Sequence, residues 1–347
     1  MRSAVLFIIF NRPETTARVL AAIRQARPPR LYIAADGPRP DREGEEERCR
    51  EARSVAAAVD WPCEVKTLFR ARNLGCRHAP FSAISWFFKH EPEGIILEDD
   101  VLPHPDFFPF CDTLLEYYRD TPGVMQITGN NFQLGVRRGE APYYFSRFGH
   151  IWGWASWARA WNLCDISMPG YLEFMRDEFP ARNNFSGREG LPPEAAEHFA
   201  SVFRKIDRGM LDSWGYSWQY CLFRHNGLTA TPNHALAENI GFIGGAHYAG
   251  DSLFAHFAAA PLPGPLSHPV NVVADDKADT AAYNLVWKPG GTALDTLLKL
   301  GMERLRNGQA YANHELIRMA RAFYGNDPAL DGLETVTKHA ETPGGGL

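Results

Sequence analysis

The N-terminal part of the chain carries four short strand-like runs, each giving way abruptly to polar or proline-bearing sequence. They are Ala4 to Phe10, Leu31 to Ala35, Cys63 to Phe69 and Gly94 to Leu97. Runs of this length, bounded by polar punctuation, predict strands of a parallel sheet, buried at Ala4 to Phe10 and at Gly94 to Leu97. Helical segments separate them. The first opens at Pro13-Glu14 and runs through Val19, Leu20 and Ile23 to stop before Pro28-Pro29. Proline suits the first helical position, and a carboxylate suits the positive end of the helix dipole. The second is acidic first (Asp41 to Glu47) and basic later (Arg48, Arg50, Arg53), an order that predicts one solvated helix. The third runs from about Arg77 to Lys89. Three strand–helix units in succession predict an α/β fold with a mainly parallel sheet and right-handed crossovers.

Farther along, the pattern predicts a helix from Asp106 to Tyr118, a strand from Val124 to Thr128 and a short strand from Pro142 to Ser146. Trp152-Gly153-Trp154 leads into a helix reaching Trp161, where the spacing of Trp157 and Trp161 is one helical turn. Pro180 to Pro193 reads as a loop, followed by a helix from Glu194 to Arg208. Asp212-Ser213-Trp214 reads as the cap of a helix ending near His225. Glu238 to His247 is a glycine-rich loop. Beyond Pro261, helical patterning returns only at Leu294 to Arg306 and Glu315 to Phe323, and the Pro343 to Leu347 tail is expected to be disordered.

Composition narrows the class. The 347 residues are 45% hydrophobic and 22% charged, with a formal net charge of -5, which fits a globular protein and argues against nucleic acid as the main partner. The N-terminal apolar run is too short for a membrane span or a signal-peptide core. The six cysteines form no C-x-x-C pair. They imply neither a zinc site nor a disulfide framework, and a cytoplasmic location is expected.

Chemistry concentrates at Glu98-Asp99-Asp100, where three acids follow Gly94 to Leu97. In open α/β sheets, ligands bind at the carboxyl ends of the strands. Adjacent carboxylates repel, so the cluster is either a solvated acidic loop or the seat of a divalent cation held by oxygen ligands. Arg12 stands at the carboxyl end of the first strand, suited to gripping a phosphate. No strand-to-helix turn carries G-x-G-x-x-G or a P-loop, which argues against dinucleotide enzymes and P-loop NTPases.

The acids continue as Glu98-Asp99-Asp100-Val101-Leu102-Pro103-His104-Pro105-Asp106-Phe107-Phe108. This stretch resembles the E-D-D-x-x-x-x-P-D-F-F segment of the N-acetylglucosaminyltransferase I family, whose members are GT-A glycosyltransferases using nucleotide sugars and manganese. The order of elements from Ala4 to His247 is similar to bacterial relatives of that family. The resemblance implies a GT-A type α/β fold. A nucleotide-sugar half would span residues 1–128, an acceptor half 129–260, and a helical extension with the tail 261–347. It implies Asp100 as metal ligand, Glu98 on the transferred sugar and Asp99 on the ribose. Asn11-Arg12 would reach the nucleotide, although the family has an acid where Asn11 stands. Asp36 would pair with the uracil, and His78 would touch the base. Asp212, two residues before Trp214, matches the catalytic aspartate. The family's preceding tryptophan is replaced by Leu211, so Trp154 is the candidate for a donor-stacking ring. His247 is a candidate second metal ligand, the alternative being an ordinary loop histidine.

These expectations describe an inverting, Mn²⁺- or Mg²⁺-dependent transferase. It would move a sugar, N-acetylglucosamine by family preference, from a UDP-sugar to a glycan or lipid-linked acceptor. The metal would neutralise the departing diphosphate, and Asp212 would take the acceptor's proton. The C-terminal helices are candidates for docking on the inner membrane face. The competing readings are a carbohydrate-binding module and a sugar-nucleotide pyrophosphorylase. The latter needs a glycine-rich triphosphate loop, and Phe10-Asn11-Arg12-Pro13 has no glycine.

Overall fold

The computed structural model describes residues 1–182, 191–241, 258–262, 264–288, 293–324 and 326–342. The expected alternation is present at the start: β1 (Ala4–Ile9), α1 (Pro13–Ala26), β2 (Arg30–Ala35), α2 (Glu45–Ala56), β3 (Glu64–Phe69), α3 (Gly75–Phe88) and β4 (Glu93–Glu98). Then come β5 (Val101–Pro103), α4 (Phe107–Tyr117), β6 (Val124–Thr128), β7 (Tyr143–Ser146), β8 (Trp154–Trp157) and α5 (Ala158–Trp161). Two short helices, α6 (Tyr171–Glu173) and α7 (Phe179–Arg182), flank a π turn, and α8 (Glu194–Asp207) and α9 (Gly215–Arg224) follow. The remainder holds β9 (Leu228–Pro232), β10 (Ala237–Asn239), α10 (Asp276–Ala282), α11 (Ala293–Arg306), α12 (Asn313–Tyr324) and α13 (Pro328–Ala340).

The described strands form an eight-stranded sheet in the order β3-β2-β1-β4-β8-β6-β9-β7, with β10 and β5 paired beside it. The expected mainly parallel sheet is instead mixed. The β3-β2-β1-β4 block is parallel throughout, whereas β8 runs antiparallel to both β4 and β6. This strand replaces the helix expected from Trp152. Trp154-Ala155-Ser156-Trp157 satisfies a period of two as well as a helical turn, and pairing with Ile96 and Thr128 selects the strand. Trp154 therefore faces a core of Trp161, Trp214 and Trp218, while Trp157 faces the opposite core beside Phe107 and Phe110.

Helices cover both faces of the sheet. Val19, Leu20 and Ile23 of α1, Ala52 and Ala56 of α2 and the aromatic residues of α4 pack on one face. Ala83, Ile84 and Phe87 of α3 pack on the other with the tryptophans of α9. A third cluster joins α8 to the outer side of α9, and a fourth joins α11, α12 and α13 to Phe132. The helix α2 is less solvated than its charge order predicts. Glu45 is fully buried, held by Asn11 and Arg39, because a carboxylate can be buried when its oxygens are all engaged. Residues 183–190 of the expected loop, the Gly244-Gly245 stretch with His247, and the terminal tail lie outside the described residues. Among the described residues, no helix is long and apolar enough to cross a membrane.

Two outcomes test this packing. A Cβ on Gly94 would overlap the Phe87 ring and stand 2.9 Å from the Ala4 carbonyl. We expect Gly94→Ala to cost about 1–3 kcal/mol, read as a lower denaturant midpoint at unchanged slope. His150 is buried, stacked on Trp287 at 5.2 Å, and burial pushes its pKa down to about 3 from 6.5. A depressed histidine stabilises the fold above the unfolded value and loses that contribution as pH falls through the window between 6.5 and 3. Melting curves across that range should show His150→Phe less acid-sensitive than the parent chain.

Candidate functional site

Parallel pairing lays the carboxyl ends of β2, β1 and β4 side by side, with Ile8 opposite both Ala34 and Glu98. Phe10 to Arg12, Asp36 and the three acids therefore meet at one edge. Arg12 is the hub. Its Nη2 donates to Asp99 Oδ1 at 2.6 Å and its Nη1 to Asp100 Oδ2 at 2.9 Å. The Phe10 backbone N–H donates to the other Asp99 oxygen at 2.9 Å. Arg12, expected to reach a phosphate, instead grips two of the three acids. Asp99, expected on the ribose, is 2% exposed, with both oxygens committed to the first strand's exit.

Asp100 is half-buried and still offers Oδ1. The loop after β10 closes over it: Ile240 N–H donates to the Asp100 carbonyl at 2.7 Å. A Cβ on Gly241 would overlap the Asp100 carboxylate and stand 2.8 Å from Arg12 Nη1, so only glycine fits there. The charges reinforce one another. Burial opposes the Arg12 charge, but Asp99 and Asp100 outweigh it and hold the guanidinium firmly protonated. Burial, then the Asp100 and Asp99 charges, raise the Glu98 carboxyl far above its usual range. Burial likewise raises Asp99 against the pull of Arg12.

The other expected site residues take different posts. Asp36 accepts backbone N–H groups of Gly37 at 2.9 Å, Leu74 at 3.0 Å and Gly75 at 3.1 Å. It ties down the loop ahead of α3, and burial raises its pKa despite these donors. Asn11 donates to Glu45 at 2.8 Å, away from the acids. His78 is exposed on the early part of α3, and among the described residues its ring makes no hydrogen bond. Trp154 is fully buried, so it cannot offer a stacking face to a sugar; Trp214 stacks on it at 5.8 Å instead.

Asp212 corrects the sequence reading in an informative way. It caps α3 rather than α9, accepting from Cys76 N–H at 2.8 Å and Arg77 N–H at 2.9 Å. The helix α9 begins without a side-chain cap. Gly75 makes this approach feasible, with φ of 81° and a would-be Cβ only 2.7 Å from Asp212 Oδ2. Arg77 fastens the same corner through the Ile206 and Ile166 carbonyls. Cys76, which the sequence did not single out, marks the meeting point. Burial and then the charges of Glu98, Asp212 and Asp100 push its thiol up to about 12. Those three acids thus lie within electrostatic reach of one thiol at the start of α3. No local signal announces this placement, because Asp212 lies 136 positions from Cys76 in the chain.

Among the described residues, no three His, Cys, Asp or Glu side chains form a cage for a metal ion. A divalent cation that shares its coordination with substrate phosphates needs only one or two protein carboxylates. Asp100 Oδ1 and Glu98, which has no hydrogen-bond donor among the described residues, are hard oxygen donors of that kind, so the residues present fit such an ion. His247 lies outside the described residues.

No family model matches the chain, and no curated protein matches it. Among solved structures, it is similar to residues 1–349 of S. aureus TarS at 7% identity and a TM-score of 0.35, covering 93% of this chain and 72% of that one. A second TarS structure gives 9% identity and a TM-score of 0.36, covering 98% of this chain and 52% of that one. Mouse xyloside xylosyltransferase 1 gives 14% identity and a TM-score of 0.31, over 66% and 84% respectively. Scores this low leave the functional argument to the site itself.

The Arg12 hub is open to direct test. Removing one partner of a buried ion pair strands the other charge, at a cost of roughly 3–5 kcal/mol. We expect Arg12→Leu to lose stability on that scale in chemical denaturation, and adding Asp99→Asn to recover part of it. A purely additive double variant would mean that the two groups are not coupled.

Proposed function

We propose that the chain is an inverting, metal-dependent glycosyltransferase that moves a sugar from a UDP-sugar to a hydroxyl of a glycan or lipid-linked acceptor. The observation that carries this reading is the placement of Asp212 on the first amides of α3, where its charge reaches the Cys76 thiol together with those of Glu98 and Asp100. A separate aspartate facing a strand-end acidic cluster is what transfer from a nucleotide sugar needs. A binding module needs no such pairing. N-acetylglucosamine as the donor sugar rests on the resemblance of the acidic stretch alone.

In this proposal Asp100 would hold the cation, its Oδ2 already fixed by Arg12. Mn²⁺ or Mg²⁺ supplies positive charge to the diphosphate leaving group when bound. Arg12 keeps Asp99 and Asp100 in place, so the acids do not splay under their own repulsion. Glu98 is the half-buried acid nearest the strand and suits a hydroxyl of the transferred sugar. Asp212 receives the acceptor hydroxyl's proton. Two backbone N–H groups orient its carboxylate, and each oxygen retains a lone pair for that task. Attack from the face opposite the diphosphate inverts the anomeric centre. The ion pair between Arg12 and Asp100 also favours a second reading, in which the guanidinium provides the positive charge and no metal is needed.

Release of UDP from a panel of UDP-sugars, with Mn²⁺ and with chelator, tests both readings. Metal-dependent release supports the first reading, release indifferent to chelation the second, and release from no sugar nucleotide rejects both. Asp100→Asn should abolish the Mn²⁺-dependent part of UDP binding in calorimetry. Asp212→Asn keeps one of the two acceptor oxygens at the start of α3, so UDP affinity should persist at a small cost in stability while transfer falls roughly 10²–10⁴-fold. Unchanged turnover in that variant would remove Asp212 as the base.

A further inference from the structure

A groove of about 590 Å³ lies between α10 and α11, away from the acidic strand ends. Lys277, Lys299 and Arg306 line it, with Leu298, Met302 and Glu303. Among the described residues, its one lining carboxylate is already neutralised. Glu303 turns to Arg138, accepting from Nη1 at 2.7 Å and Nη2 at 3.2 Å, and Arg138 is 4% exposed. Asp276, next to Lys277 in the chain, is bound by Arg147 at 2.7 Å. Lys299 and Arg306 are exposed, and among the described residues neither has an acidic partner within ion-pair distance. Arg304, on the same helix, is buried and donates to the Ala312 carbonyl at 2.6 Å. Lys299 and Arg306 therefore give the groove a positive side in a chain whose formal net charge is -5.

Helix ends attract basic residues, and Arg306 in the last turn of α11 fits that bland explanation. Lys299 lies outside that turn, so the dipole does not account for it. The groove has the volume of a small-molecule site. Leu298 and Met302 give it an apolar side.

We propose that this groove binds a phosphate-bearing ligand, with Lys299 and Arg306 on the phosphate and Leu298 and Met302 against its carbon skeleton. A phosphate carries more charge and more acceptor oxygens than a carboxylate, and so suits a groove lined by more than one cation. The phosphate can belong to a soluble ester or to a lipid headgroup.

The test uses the full chain and two probes. Calorimetry with glycerol 3-phosphate reads the soluble source; cosedimentation with phosphatidylglycerol vesicles, against phosphatidylcholine vesicles, reads the lipid source. Binding should weaken roughly tenfold or more in Lys299→Gln/Arg306→Gln, and should also weaken in the parent chain as ionic strength rises. Both positions are exposed, and an unchanged melting temperature checks that the fold is intact. Arg318→Gln/Lys338→Gln removes the same charge from α12 and α13 and should bind as the parent does. Binding of either probe with this pattern supports the site and identifies the source. Absence of binding to both probes, equal losses in the two double variants, or no loss in the first overturns it.

Discussion

The Arg12 fork between Asp99 and Asp100 is the interaction on which the rest of the edge depends. Three adjacent acids at a strand end repel one another, and a single guanidinium holds two of them. The Phe10 amide fixes the same aspartate from the backbone side, so β1 and β4 are locked at their exits as well as along their ladders. The cluster keeps an excess of negative charge over this one cation. That excess adds to burial in raising the Glu98 carboxyl above its usual range.

The sheet order explains how a second acid arrives opposite the first group. The face of β4 that carries Ile96 also carries Trp154 of β8, and the tryptophan layer of α9 packs upon it. The segment before α9 thereby brings Asp212 over the start of α3. A mixed sheet gives this geometry because β8 separates β4 from β6 and widens the face on which α3 and α9 sit side by side.

Much of the frame was legible in the residues. The runs at Ala4, Leu31 and Gly94 form buried strands, because strands covered on both faces are apolar throughout. The acids at Glu98 to Asp100 stand at the strand end where they were expected. Roles that depend on distant partners were not legible. Asp36 and Asp99 carry the residue types of ligand contacts, yet each spends its oxygens on the protein's own donors. Trp154 is an aromatic residue near the site by sequence, but its strand register turns it into the core. The helix α10 was missed because it spans only seven residues in acidic, polar sequence, and α13 because Pro328 and Gly332 punctuate its pattern; Asp275 and Asp327 are their caps.

The trans cap on α3 carries a consequence for how the molecule assembles. A helix start that waits for a group 136 positions away cannot be completed by local folding. Until the later lobe docks, the first amides of α3 lack their carboxylate and the helix frays there. The recess at Cys76 should therefore be among the last features to form, and a nascent chain would have its sheet edge long before it has its opposing aspartate.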